Sequence, residues 1–157
     1  MLLYLVQHGK CLAKDEDPQR PLSSTGIEET RKIAVMASDG GVSVAAIRHS
    51  GKLRAKQTAE VMAAALSVND VAKMEGLNPL DDVRNIAREI AKHERHMLVG
   101  HLPFMDRLIS FLITKNQEHG FVSFQNSGIV CLELDSKMWR IRWTLFPDLS
   151  SESVMKK

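Results

Sequence analysis

A chain of 157 residues, 44% hydrophobic and 25% charged, is long enough for one domain with a substantial core and has the balance of a globular protein that folds in water. A formal net charge of +2 leaves no electrostatic footprint for nucleic acid or an acidic membrane surface, and no apolar run approaches the length of a bilayer span. The start, MLLYLV, lacks the basic segment and cleavage site of a signal peptide, and Cys11 and Cys131 carry no metal-ligand spacing, so a cytoplasmic protein with reduced thiols is expected.

LLYLVQ (2–7) is a continuous apolar run, the pattern of a strand buried on both faces. Residues 10–22 are polar, contain Pro18 and Pro21, and read as a loop. Thr25 and Glu28 fit a T-x-x-E capping box, with Ser23 and Ser24 as alternative caps, and predict a helix from about Ile27 to Ser38 that ends at Gly40 and Gly41. VAAIRH (44–49) reads as a second strand. Ala55, Ala59, Met62 and Leu66 then recur at helical spacing, as do Val83, Ile86, Ala87 and Ile90. HMLVGH (96–101) is a third buried strand. Pro103 suits the first turn of a helix that turns Leu108, Ile109, Leu112 and Ile113 inward. GIVCLEL and WRIRWTL flank Asp135–Met138 and read as an antiparallel hairpin. In its second strand, alternation sets Trp139, Ile141 and Trp143 on one face and Arg140 and Arg142 on the other. The domain is expected over 1–149, with a flexible tail at 150–157.

Strands alternating with helices imply a layered α/β domain, in which sites gather beyond the carboxyl ends of the strands. Each of three strands delivers something to that edge. The first delivers His8 and Gly9. The second delivers Ser50 and leads into Arg54. The third delivers Gly100 and His101. Two histidines and an arginine at one sheet edge suit phosphoryl transfer. A neutral imidazole is a good nucleophile toward phosphorus, and a backbone carbonyl holding its other N–H would fix the tautomer. A guanidinium matches phosphate oxygens with a planar fork, and Arg54 falls near a helix N-terminus, which also favours an anion. The second histidine is placed to donate to those oxygens. This chemistry calls for no metal and no cofactor, and the chain holds no glycine-rich nucleotide loop.

At this point the chain resembles the histidine phosphatase superfamily, the phosphoglycerate-mutase-like fold. VQHGK resembles its R-H-G signature, RPLSSTG its R-P-L-T-x-x-G segment, HSGKLRAKQTAE its S-P-x-x-R-A-x-Q-T segment, and VGHLP its late G-H segment. The four occur in the family's order, and the short length and wording are most like the SixA-type phosphohistidine phosphatases. The resemblance implies a single three-layer α/β/α domain with a mostly parallel central sheet and one antiparallel edge hairpin. It implies that His8 attacks the phosphoryl group, that Arg54 and His101 bind its oxygens, and that Gly9 and Ser50 line the pocket, where phosphate or sulfate would also bind. The substrate so implied is phosphohistidine of a histidine phosphotransfer domain.

Two positions depart from the pattern. Gln7 stands where the family has arginine, keeping hydrogen-bond donors but losing the charge and the fork; Arg20 would compensate if its loop folds over the site. Gly51 stands where proline is usual. For a general acid, Glu75 and Asp82 flank NPLD, and Glu75 is the better placed, although both also fit ordinary surface carboxylates. A missing acid would favour phosphoramidate over alkyl phosphate substrates, because the leaving imidazole can already carry a proton. His93 and His96 in KHERHM are one residue short of the H-E-x-x-H zinc motif. His49 neighbours Ser50, but alternation turns it away. The alternatives to a phosphohistidine phosphatase are a small-molecule phosphomonoesterase with the same chemistry, and a weak or inactive binder of phosphorylated proteins.

Overall fold

The computed structural model describes residues 1–149; the expected tail at 150–157 lies outside the described residues. In chain order the elements are β1 (Leu2–Gln7), α1 (Ser24–Asp39), β2 (Ala46–His49), α2 (Leu53–Leu66), β3 (Val71–Lys73), α3 (Val83–Ile90), β4 (His96–Gly100), α4 (Phe104–Thr114), β5 (Ile129–Asp135) and β6 (Met138–Leu145), followed by a short 3-10 turn at Pro147–Leu149. The six strands form one sheet in the order β3-β2-β4-β1-β5-β6. Strands β1 to β4 pair in parallel, and β5 and β6 join as the antiparallel edge hairpin.

The apolar run of β1 is buried on both faces, as its sequence requires. Leu3 and Leu5 face one side, where they pack with Leu98, Val130 and Leu132 under α3 and α4. Tyr4 and Val6 face the other, with Ile47, Met97 and Val99 under Ile33 and Ala34 of α1 and Ala55, Ala59 and Met62 of α2. Two helices on each face make the three α/β/α layers. Small residues of α2 pack on one face of the sheet, and Phe104, Met105, Leu108 and Ile109 of α4 pack on the other. Truncating a fully buried side chain such as Leu5 or Ile47 to alanine would cost about 2–5 kcal/mol.

Several local expectations are corrected. Helix α1 starts at Ser24, earlier than expected, because Ser23 is the N-cap: its hydroxyl accepts from Gly26 N–H at 3.0 Å, and its own N–H donates to the Lys10 carbonyl at 3.0 Å. The Thr25–Glu28 capping box is therefore not used. Strand β2 begins at Ala46 rather than Val44, and Pro103 stands at the N-cap of α4 rather than inside its first turn. Strand β3 has no counterpart in the sequence reading, since three half-exposed or exposed residues carry no periodicity.

The largest correction concerns β6. Cys131 pairs with Trp143 but Leu132 pairs with Ile141, so Arg142 is an extra residue in a β-bulge. The bulge reverses the alternation. Trp139 packs on the α3/α4 face, whereas Trp143 lies on the α1/α2 face with its ring centroid 6.0 Å from that of Tyr4. Trp139, Ile141 and Trp143 do not share a face. Arg142 instead reaches the Glu133 carboxylate at 2.8 Å.

Candidate active site

Parallel pairing sets the geometry of the site. In the register Gln7 stands opposite Gly100, and His49 opposite Val99, so His8, Ser50 and His101 all emerge at one edge of the sheet. The His8 N–H donates to the Gly100 carbonyl at 3.0 Å and locks the ends of β1 and β4 together. The His8 Nδ1 lies 2.7 Å from the Gly9 carbonyl, which can only accept, so Nδ1 carries the proton. Nε2 is then a lone pair. It accepts the Arg54 Nε–H at 3.3 Å. Burial pushes the His8 pKa down from 6.5 to about 4; the Gly9 carbonyl opposes this and the charges of Arg54 and Arg20 reinforce it. The ring is neutral at pH 7, with Nε2 unprotonated.

The segment RAKQT in the first two turns of α2 carries Arg54, Gln57 and Thr58 at i, i+3 and i+4, on one helix face. All three are spent on the site. Arg54 reaches His8. Gln57 Oε1 accepts the Leu22 N–H at 2.7 Å, tying down the end of the 10–22 loop. Thr58 Oγ1 accepts the Gly9 N–H at 2.9 Å while donating to the Arg54 carbonyl at 2.7 Å. Gly9 is required by close approach: a Cβ there would sit 2.6 Å from Thr30 Oγ1 and 3.1 Å from Ser127 Oγ. Those two hydroxyls bond each other at 2.7 Å, and Asn126 Nδ2–H donates to the His8 carbonyl at 2.9 Å. Thr58, Thr30, Asn126 and Ser127 were not singled out from the sequence. The i+4 spacing of Thr58 from Arg54 was a usable signal. Nothing in the chain announces that a loop residue 118 positions from His8 completes its turn.

His101 and Ser50 are 2% and 5% exposed, and His101 Nε2 lies 2.6 Å from Ser50 Oγ. The His101 ring centroid is 5.0 Å from that of His8. Burial, then the neighbouring His8, Arg54, Lys52 and Arg20, push the His101 pKa down to about 3, so this ring is also neutral at pH 7. His49 is turned away from the pair, and its Nδ1 accepts the Gly51 N–H at 3.1 Å. Gly51 has φ of +90°, a conformation closed to proline, and the stem of Lys73 occupies the space over it.

The 10–22 loop does fold back on itself. The Leu12 N–H donates to the Pro21 carbonyl at 2.9 Å, and Cys11 bridges to Leu22. Arg20 is held within it, its Nε–H on the Leu12 carbonyl at 3.4 Å and its Nη2 3.5 Å from Cys11 Sγ. Its charge is felt by His8, Arg54 and His101 alike. Gln7 is less well served: its Oε1 is buried with no partner among the described residues. Beside it opens a cleft of about 420 Å³, lined in part by Lys10, Glu29, Gln125 and Asn126. Glu75 is 80% exposed and its carboxylate pairs with Lys73 at 2.6 Å rather than with a residue of the site. Asp82 is the N-cap of α3, accepting from Arg84 N–H at 3.0 Å. The His93 and His96 rings stack at 4.5 Å, and among the described residues no group of three histidines, cysteines or carboxylates is gathered to hold a metal ion.

No family model matches the chain. It is 34% identical over 142 residues to an uncharacterised protein of Picosynechococcus sp. (strain PCC 7002), with 84% of each protein covered. The putative phosphohistidine phosphatase SixA of Agrobacterium tumefaciens superposes on it with a TM-score of 0.75 at 26% identity, covering 92% of this chain and 96% of that one. The chain belongs to the histidine phosphatase superfamily. This histidine phosphatase also shares its fold with the protein histidine phosphatase SixA in complex with tungstate, at a TM-score of 0.83 and 24% identity, over 94% of this chain and 97% of that one. The α-ribazole phosphatase of Shigella flexneri has the same fold at a TM-score of 0.74 and 18% identity, over 90% and 95% of the two chains. By family it is a phosphoric hydrolase. Among the described residues no helix is long and apolar enough to cross a membrane.

Proposed function

We propose that this histidine phosphatase hydrolyses phosphohistidine on a phosphotransfer protein through a phosphohistidine intermediate on His8. His8 Nε2 attacks phosphorus, the substrate P–N bond breaks, and the leaving imidazole departs with the proton it already carries. Water then attacks the phosphorus on His8, freeing inorganic phosphate and returning the neutral ring. Arg54 and His101 hold the phosphoryl oxygens as charge develops, and Ser50, Gly9 and Gln7 line the pocket. Arg20 supplies a second guanidinium where Gln7 has withdrawn one, so the site works at a reduced rate. Cytoplasmic phosphotransfer signalling is the setting that fits this chemistry.

The observation that carries the proposal is the His8 tautomer: Nδ1 is committed to the Gly9 carbonyl, and Nε2 faces the Arg54 guanidinium. The substrate class is supported by the phosphohistidine and protein-histidine activities in the descriptions of the SixA neighbours. It is supported further by Glu75 being 80% exposed and paired with Lys73, since a phosphoramidate needs less help from a general acid than an ester does.

A rapid-quench experiment with a radiolabelled phosphohistidine phosphotransfer protein tests it. An acid-labile phosphoenzyme should form and decay in the wild type and be absent from His8→Ala. Phosphate release that persists in His8→Ala, or the absence of any phosphoenzyme, overturns the mechanism. Efficient turnover of phosphate esters alone would move the substrate to a small molecule. Tight binding without phosphate release would make the protein a phosphoprotein-binding regulator.

A further inference from the structure

A neutral imidazole has one N–H, so its use in a site depends on which nitrogen bears it. The His101 ring is nearly fully buried, and its two nitrogens meet different surroundings. Nε2 lies 2.6 Å from Ser50 Oγ, whereas Nδ1 is buried with no partner among the described residues. Placing the proton on Nδ1 would orphan a buried donor, the rarer and costlier of the two arrangements. Placing it on Nε2 satisfies the donor at once. Ser50 Oγ then accepts from His101 Nε2–H and, at 3.4 Å, from the Lys52 N–H. Both oxygen lone pairs are engaged, and the hydroxyl hydrogen remains free to be donated.

We propose that Ser50 is a positioning residue for His101: its hydroxyl receives the Nε2–H and holds the ring in that tautomer until a phosphoryl oxygen takes the same N–H over from Ser50. The His101 ring, its centroid 5.0 Å from that of His8, is thereby set as a donor. With the opposite tautomer, Nε2 would present a lone pair to an anion and repel it. His8 and His101 end as complementary tautomers, one bare at Nε2 for attack and one protonated at Nε2 for donation. Each is set by one oxygen, from Gly9 and Ser50 respectively. The consequence for turnover rests on the phosphatase activity proposed above; the tautomer itself does not.

Two-bond proton–nitrogen correlation spectra of the full chain labelled with ¹⁵N-histidine test this, with the His101 signals assigned by their loss in His101→Asn. The wild type should show a protonated Nε2 and a bare Nδ1. Ser50→Ala should shift population to protonated Nδ1, and Ser50→Thr should hold the wild-type pattern. With a phosphohistidine phosphotransfer protein as substrate, Ser50→Ala should lose about tenfold or more in kcat at little change in KM, and Ser50→Thr should recover most of it. A wild-type ring protonated at Nδ1, a tautomer indifferent to Ser50→Ala, or a shifted tautomer with unchanged kcat overturns the proposal. If Ser50→Ala does not fold, the wild-type spectrum together with Ser50→Thr decides it. If no variant or wild type releases phosphate, the phosphatase proposal fails, while the spectra still decide the role of Ser50.

Discussion

The two walls of the candidate site are built to different standards. On the α2 wall, Arg54, Gln57 and Thr58 each make a hydrogen bond into the His8–Gly9 turn or the end of the 10–22 loop. On the wall at position 7, an amide oxygen is buried without a partner among the described residues, beside an open cleft. The contrast shows that the geometry of the His8 turn does not depend on the residue at position 7. The His8 turn is held by backbone and hydroxyl groups from α1, α2, β4 and the 121–128 segment, none of which needs a charge at position 7. Its shape is over-determined, and its charge is not.

The largest effect should come from the well-built wall. Arg54→Ala should lower the turnover of phosphohistidine substrate on the order of a thousandfold, and Arg54→Lys should recover only part of it, because an ammonium lacks the fork. Initial rates of phosphate release measure this; comparable rates would mean that α2 shapes the site without acting in it. Repairing the weaker wall should work in the other direction. Gln7→Arg should raise turnover by roughly ten- to a hundredfold. An unchanged or lower rate would show that the guanidinium of Arg20 already does the whole task, or that the amide has a task of its own.

Stability should separate the walls as well. Thr58→Val removes the acceptor of a buried N–H and should cost about 1–3 kcal/mol in urea unfolding. Gln7→Met removes an orphan oxygen at similar volume and should leave stability the same or slightly higher. Equal losses in the two variants would erase the distinction. The smallest effect is a pH dependence. The His8 pKa is lowered on folding, so from pH 8 toward pH 6 the unfolded chain takes up a proton that the folded chain does not, and stability falls with pH. The contribution is about 1 kcal/mol near pH 6. Thermal unfolding of His8→Asn across that range should show a correspondingly shallower loss than the wild type.

The site was legible where the chemistry lies at strand ends. His8, Ser50 and His101 follow three apolar runs, and parallel pairing puts the ends of such runs on one edge. Arg54 was legible from its place at the start of a helix. Arg20 was legible only as a condition, because whether a thirteen-residue loop folds inward depends on bonds to residues far along the chain. Trp143 was misplaced because one extra residue in a strand reverses every side chain beyond it, and Arg142 in a strand looks the same with or without a bulge. Asn126 and Ser127 were invisible for a related reason: loop polarity carries no information about what a loop residue touches.

Apolar periodicity and the order of the elements determined the layers, the strand that lies at the centre, and the histidine that stands beyond its end. These follow from local patterns, since burial of an alternating or continuous apolar stretch leaves few arrangements. Tertiary structure alone decided which nitrogen of His8 is bare, that Ser50 faces His101, and that the oxygen of Gln7 has no partner among the described residues. Those outcomes turn on separations of about 3 Å between groups distant in the chain, and hydrogen bonding is too short-ranged and directional to be read from sequence spacing.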